Sequence, residues 1–110
     1  MKKIKILLSR EATRNLENYY YFFKQLNPTA ASKWLDGIEA AITQLSAFPK
    51  KGAVIPEAMN DKSLSTLRQI LFSMSPSGNT FRIIYQIQGD SFCVINIVTI
   101  RNSRQKPYHR

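Results

Sequence analysis

The dipeptide Asn27-Pro28 separates two long amphipathic stripes, and this arrangement restricts the chain's fold more than any other feature of its sequence. In residues 10–26 the apolar side chains of Ala12, Leu16, Tyr19, Tyr20, Phe23 and Leu26 recur at three- and four-residue steps, the spacing of one helix face. Ala31, Trp34, Leu35, Ile38, Ala41, Ile42 and Leu45 repeat that pattern in the next stretch. A residue before proline avoids the α region, whereas proline suits a first helical turn, so one helix ends at Asn27 and another begins at Pro28. A tight helical hairpin is expected, stopped near residue 47 by Pro49 and Gly52.

Short apolar runs flank this hairpin. Residues 3–8 are β-branched and aliphatic and end at Ser9, a good helix cap, with Glu11 favourably placed in the first turn. Residues 50–65 mix Gly, Pro, Asn, Asp and Ser without period and read as a loop. Three strand-like runs follow at 66–74, 81–88 and 92–100, separated by turn-rich residues 75–79 and 88–90. The order is βααβββ with a basic tail over residues 101–110, an α+β class within one domain spanning 1–110. The hairpin should bury its stripe on one face of a small antiparallel sheet and leave the opposite face open for a site. The run from Tyr19 to Phe23 belongs to that buried stripe rather than to a base-stacking platform, with one or two rings left for a protein partner.

Charge sets the sign of what such a site would meet. The chain carries 16 Lys and Arg against 7 Asp and Glu, a net +9, which attracts nucleic acid, acidic proteins or anionic surfaces. In the first 65 residues acids such as Glu11, Glu17, Asp36 and Glu39 interleave with bases, the pattern of a solvated helical face. Beyond residue 65 the bases are Arg68, Arg82, Arg101, Arg104, Lys106 and Arg110, and Asp90 is the one acid. The single cysteine, Cys93, lies in an apolar run and reads as core packing, in keeping with a reducing, cytoplasmic compartment. The N-terminal apolar stretch is too short for a signal peptide, and no run is long enough to span a membrane.

The inventory of reactive groups is small. With one histidine, His109, and one cysteine, a metal centre is not expected, and the four glycines form no nucleotide-binding pattern, so no cofactor is anticipated. Cationic and hydroxyl side chains of the last third remain. Strand alternation sets Arg82 on the face opposite Phe81, Ile83 and Tyr85, where its head must reach water, an acid or an anionic ligand. Tyr108 is either a packing residue or a group that handles a hydroxyl, and His109 either belongs to a frayed tail or joins it.

Several motifs together resemble the RelE/ParE superfamily of toxins from bacterial type II toxin-antitoxin pairs. They are Leu8-Ser9-Arg10-Glu11-Ala12, Asn27-Pro28 with Ala30-Ala31, Leu45-x-x-Phe48-Pro49-x-x-Gly52, and Phe81-Arg82-Ile83-Ile84-Tyr85-Gln86-Ile87 with the apolar strand after it. The long hairpin with Asn-Pro and Phe-Pro-x-x-Gly looks like the ParE branch, whose members poison DNA gyrase and lack a nuclease centre. The Phe-Arg-Ile-Ile-Tyr strand and the C-terminal tyrosine look like RelE, whose members cleave mRNA on the ribosome.

The RelE resemblance implies a catalytic set of Arg82 on the scissile phosphate with Tyr108 or His109 handling protons. It also implies RNA-binding support from Arg68, Arg101, Arg104 and Lys106. RNA would supply its own 2′-hydroxyl nucleophile, so neither metal nor cofactor is implied. The chain departs from that pattern at Ile70, where RelE has a lysine, and at Asn102, where it has a catalytic arginine. On this reading the toxin inhibits translation by ribosome-dependent mRNA cleavage; on the ParE reading it inhibits gyrase by binding alone. Either resemblance implies a cognate antitoxin, with operator DNA reached only through the antitoxin complex. The other partners implied are the ribosome and mRNA or, instead, gyrase, and no membrane.

Overall fold

A computed structural model of the chain describes residues 4–74, 80–88 and 94–108. The elements are β1 (Lys5–Leu8), α1 (Arg10–Leu26), α2 (Pro28–Ala47), β2 (Ala53–Val54), β3 (Leu67–Ser73), β4 (Thr80–Gln88) and β5 (Val94–Asn102). Two short 3₁₀ turns, Pro56–Met59 and Lys62–Leu64, lie between β2 and β3. Both helices begin and end where the cap residues dictate. The Ser9 hydroxyl accepts from the Ala12 N–H and donates to the Val98 carbonyl, tying the start of α1 to the last strand. Asn27 serves both helices: its N–H donates to the Phe23 carbonyl, and its side-chain oxygen accepts from Thr29 and Ala30. A junction of one residue is therefore enough to turn the chain.

The sheet has five strands in the order β1-β5-β4-β3-β2. Strands β3, β4 and β5 form the antiparallel meander that the sequence suggested, but the sheet is mixed, because β1 runs parallel to β5, with Lys5 opposite Val94 and Leu8 opposite Ile97. The two helices carry the chain from β1 at one edge to β2 at the other, and β5 returns beside β1 only at the end of the sheet, a pairing that periodicity cannot reveal. Two more differences concern the loop and the tail. Residues 50–65 contain an edge strand and the 3₁₀ turns, and Arg101 and Asn102 belong to β5 rather than to the tail. Cys93 and most of the two expected hairpin turns lie outside the described residues.

The hairpin packs on one sheet face. Ala12, Trp34, Ile38, Ile42 and Leu45 meet Ile70, Phe81, Ile83, Tyr85, Ile95, Ile97 and Ile100 in a continuous core. Trp34 sits at its centre, with ring centroids 5.4 Å from Phe81 and 5.6 Å from Phe23, and Tyr19 stands edge-on to Phe81 at 5.0 Å. Tyr21 and Phe22, from the same aromatic run, face outward. The opposite face is not wholly open. Ile55 and Leu64 cover Leu67 and Ile84, and Ala58, Val98 and Tyr108 pack around them. Apolar residues at both ends of an aperiodic segment give it this second small core, which the absence of a period concealed.

One hydroxyl anchors that segment to the hairpin side. Tyr85, buried in β4, donates to the Pro49 carbonyl at 2.7 Å and accepts from the Gly52 N–H at 2.9 Å. Burial pushes its pKa upward, so the phenol stays neutral and can donate. A Cβ on Gly52 would collide with the Gln69 carbonyl and crowd the Tyr85 hydroxyl, which explains the glycine in Phe-Pro-x-x-Gly. Tyr85→Phe leaves both partners short of a bond in a buried setting, and chemical denaturation should show a loss of about 1–3 kcal/mol.

Candidate functional site

The segment that crosses the second face brings a carboxylate to the middle of the sheet. Arg82 Nη1 and Nη2 donate to Glu57 Oε2 and Oε1, each at 2.7 Å, and Nε donates to Gln69 Oε1 at 2.7 Å. The guanidinium is thus held on both of its edges, and the two side chains of the ion pair are only 11% and 12% exposed. Glu57 also accepts the Tyr108 backbone N–H at 2.8 Å, which draws the tail onto the same spot. Bonding to the Arg82 guanidinium, despite the cost of burial, holds the Glu57 pKa at about 2, so it is a carboxylate at any physiological pH.

A bulge decides which C-terminal arginine joins this cluster. Arg82 lies opposite Arg101, but the register shifts between Ile84 and Tyr85, where Thr99 and Ile97 are the successive partners. Ile97 and Ile100, three positions apart, consequently both face the helices, and Arg101 turns to the Arg82 face. Its Nη2 donates to the Lys106 carbonyl at 2.6 Å, and its guanidinium lies 5.6 Å from the Tyr108 ring centre. Its Nε is buried with no hydrogen-bond partner among the described residues. Two arginines directly across a strand pair repel one another, so the Glu57 charge stabilises an otherwise unfavourable pairing.

The sequence-derived candidates therefore separate. Arg82, Arg101 and Tyr108 come together. Arg68 lies opposite Tyr85 and points to the helix side, where its Nη1 donates to the Gly52 carbonyl at 2.6 Å. Arg104 and Lys106 are exposed in the tail; the Arg104 N–H donates to Asn102 Oδ1, and the Lys106 carbonyl accepts from Arg101. Asn102 receives no phosphate-binding geometry: its N–H is directed at the Tyr19 hydroxyl and Gln105 Oε1, and its side chain accepts from the Arg104 N–H. His109 lies outside the described residues.

Glu57 and Gln69 are central residues that sequence reasoning did not single out. A signal was present. Four of the seven acids lie on the hairpin, and Glu57 is one of three beyond it, so an arginine in mid-strand had few possible partners.

The fold agrees with what comparison reveals. Residues 6–107 match the family model described as the ParE toxin of the type II toxin-antitoxin system, parDE. The chain belongs to this family. A chain of the chromosomal ParDE toxin-antitoxin system from P. aeruginosa superposes with a TM-score of 0.66 at 18% identity, covering 91% of this chain and 96% of that one. A chain of the RelBE2 toxin-antitoxin complex from Mycobacterium tuberculosis does so with a TM-score of 0.54 at 18% identity, covering 91% and 98%. At such identities these likenesses concern the fold. A search of curated proteins gives no match. The protein is thus a RelE/ParE-like toxin of a type II system, and none of its described helices is long and apolar enough to cross a membrane.

The ion pair makes a pH prediction. Glu57 titrates near 4.5 when ordinary and near 2 in the folded toxin, so its stabilising contribution is complete above pH 4.5 and is lost as pH falls towards 2. Glu57→Gln should be less stable at neutral pH by about 2–4 kcal/mol. The difference between the two proteins should shrink as thermal melts are repeated from pH 5 down to pH 2.

Proposed function

We propose that this toxin arrests growth by binding DNA gyrase, with no nuclease step, and that a cognate acidic antitoxin neutralises it. The observation that carries this reading is the bidentate Glu57–Arg82 pair. A nuclease of RelE type needs Arg82 free to meet a phosphate, yet both of its terminal nitrogens hold a carboxylate and its Nε holds Gln69. Glu57 is itself a poor proton acceptor near neutrality, because a base works best with a pKa close to the operating pH and this one lies at about 2. The family model favours the same branch, and the ParE resemblance supplies gyrase as the target.

The partner follows from charge and from the neighbours. Both solved structures are described as toxin-antitoxin systems, and a net +9 favours an acidic, initially disordered segment that folds on this surface. Operator DNA is then reached through the antitoxin.

The test pairs two assays with one double variant. Purified toxin should inhibit gyrase supercoiling, while messenger 5′ ends mapped after brief expression stay unchanged. Arg82→Ala strands Glu57 and should destabilise the fold by about 2–4 kcal/mol, whereas the apolar exchange Glu57→Leu with Arg82→Met should restore much of that stability. On the binding reading the stable double variant remains toxic. New mRNA ends that vanish in the double variant would instead establish the ribosome-dependent endoribonuclease, with Arg82 as its phosphate ligand.

A further inference from the structure

Beyond Asn102, where β5 ends, the chain passes from a post on α1 to a second post on the face that carries Arg82. At the first, Gln105 Oε1 accepts from the Tyr19 hydroxyl and the Asn102 N–H, each at 2.9 Å, and the Gln105 N–H donates to the Asn102 carbonyl. At the second, the Lys106 carbonyl accepts from Arg101 Nη2, the Tyr108 N–H donates to Glu57 Oε2, and the Tyr108 ring packs on the small core. Residues 103–107, which lead from one post to the other, are all exposed.

The second post carries a penalty that the first does not. The Tyr108 ring centre stands 5.6 Å from the Arg101 guanidinium and the Lys106 carbonyl sits at its Nη2, while Arg101 Nε is buried with no hydrogen-bond partner among the described residues. A buried N–H of a charged group left unbonded costs about as much as one good bond to such a group contributes. The orphan therefore offsets much of what the Lys106 or Tyr108 bond supplies, and water would bond Nε as soon as ring and carbonyl moved away. A segment with few buried contacts and a penalty of this kind lies at the low end of local stability.

We infer that residues 106–108 form a strap that lifts from the second post as one unit, turning about Gln105, while the hairpin and the sheet stay folded. Closed, the strap covers Arg101 and one side of the small core. Open, it presents a hydrated cation beside the apolar side chains that the Tyr108 ring has left. Any ligand that needs this face then meets it with an apparent affinity reduced by the fraction of time the strap is open. The gate is set by the balance of bonds within the chain and does not depend on what the toxin's target is.

Two protons report on the strap: the Tyr108 amide, which is bonded to Glu57, and the Arg101 Nε–H, which is covered without being bonded. Hydrogen exchange of both, followed in the ¹⁵N-labelled full chain, should give one opening equilibrium after correction for intrinsic rates, insensitive to low denaturant. The Ile100 amide, bonded to Asn15 Oδ1, should exchange at least about a hundredfold more slowly and respond to denaturant. Pro107 has no N–H to lose, so Pro107→Gly acts mainly on the open ensemble and should raise both reporter rates by the same factor of about two to five. A Tyr108 amide that exchanges together with Ile100 would overturn the inference, because the strap would then belong to the rigid fold. So would an Nε–H that stays slow while the Tyr108 amide is fast, or unequal responses of the two to Pro107→Gly, since the tail would then fray residue by residue without uncovering Arg101.

Discussion

A buried guanidinium in the middle of a sheet needs a counter-charge, and much of the second face of this toxin follows from that need. Arg82 obtains it from Glu57, and to deliver that carboxylate the chain between β2 and β3 must cross the face in 3₁₀ turns rather than swing free. The crossing brings Ile55 and Leu64 onto Leu67 and Ile84, giving the segment apolar contacts of its own. The spare acceptor capacity of Glu57 then fixes the Tyr108 N–H, so the tail becomes part of the same unit. Removing either charge would unsettle loop and tail together, because an unpaired charge costs more than the pair contributes.

On the function proposed above, the same pair separates two chemistries that share one scaffold. A sheet arginine with a free fork is a phosphate ligand; with a bound carboxylate it is an architectural element. ParE-like and RelE-like features coexist in this sequence, and the strand motif Phe-Arg-Ile-Ile-Tyr is neutral between them, because it specifies where the arginine stands and not what holds it.

Features carried by local rules were legible in the sequence. The helix bounds followed from Ser9, Asn27 and Pro28, since caps act over three or four residues and leave their mark in composition. The division of β4 into a helix-facing set and an Arg82 face followed from alternation. Features that depend on distant partners were not legible. Parallel pairing of β1 with β5 joins residues nearly ninety positions apart, and Glu57 meets Arg82 across 25, from a segment with no period to announce it. Charge and the RelE resemblance group Arg68 with Arg82, although alternation and pairing with Tyr85 direct it to the other side.

The bulge opposite Ile84 and Tyr85 also affects how relatives should be aligned. A strand compared residue by residue assumes an unbroken alternation, and one inserted residue reverses the parity of everything after it. Counting along β5 puts Asn102 at the position of a RelE catalytic arginine, but in space it is Arg101 that stands across from Arg82. Two toxins can therefore match in sequence position and differ in geometry, or differ in position and match in geometry. Within this superfamily, the presence of a bulge in the last strand should be established before a missing arginine is taken as a missing activity.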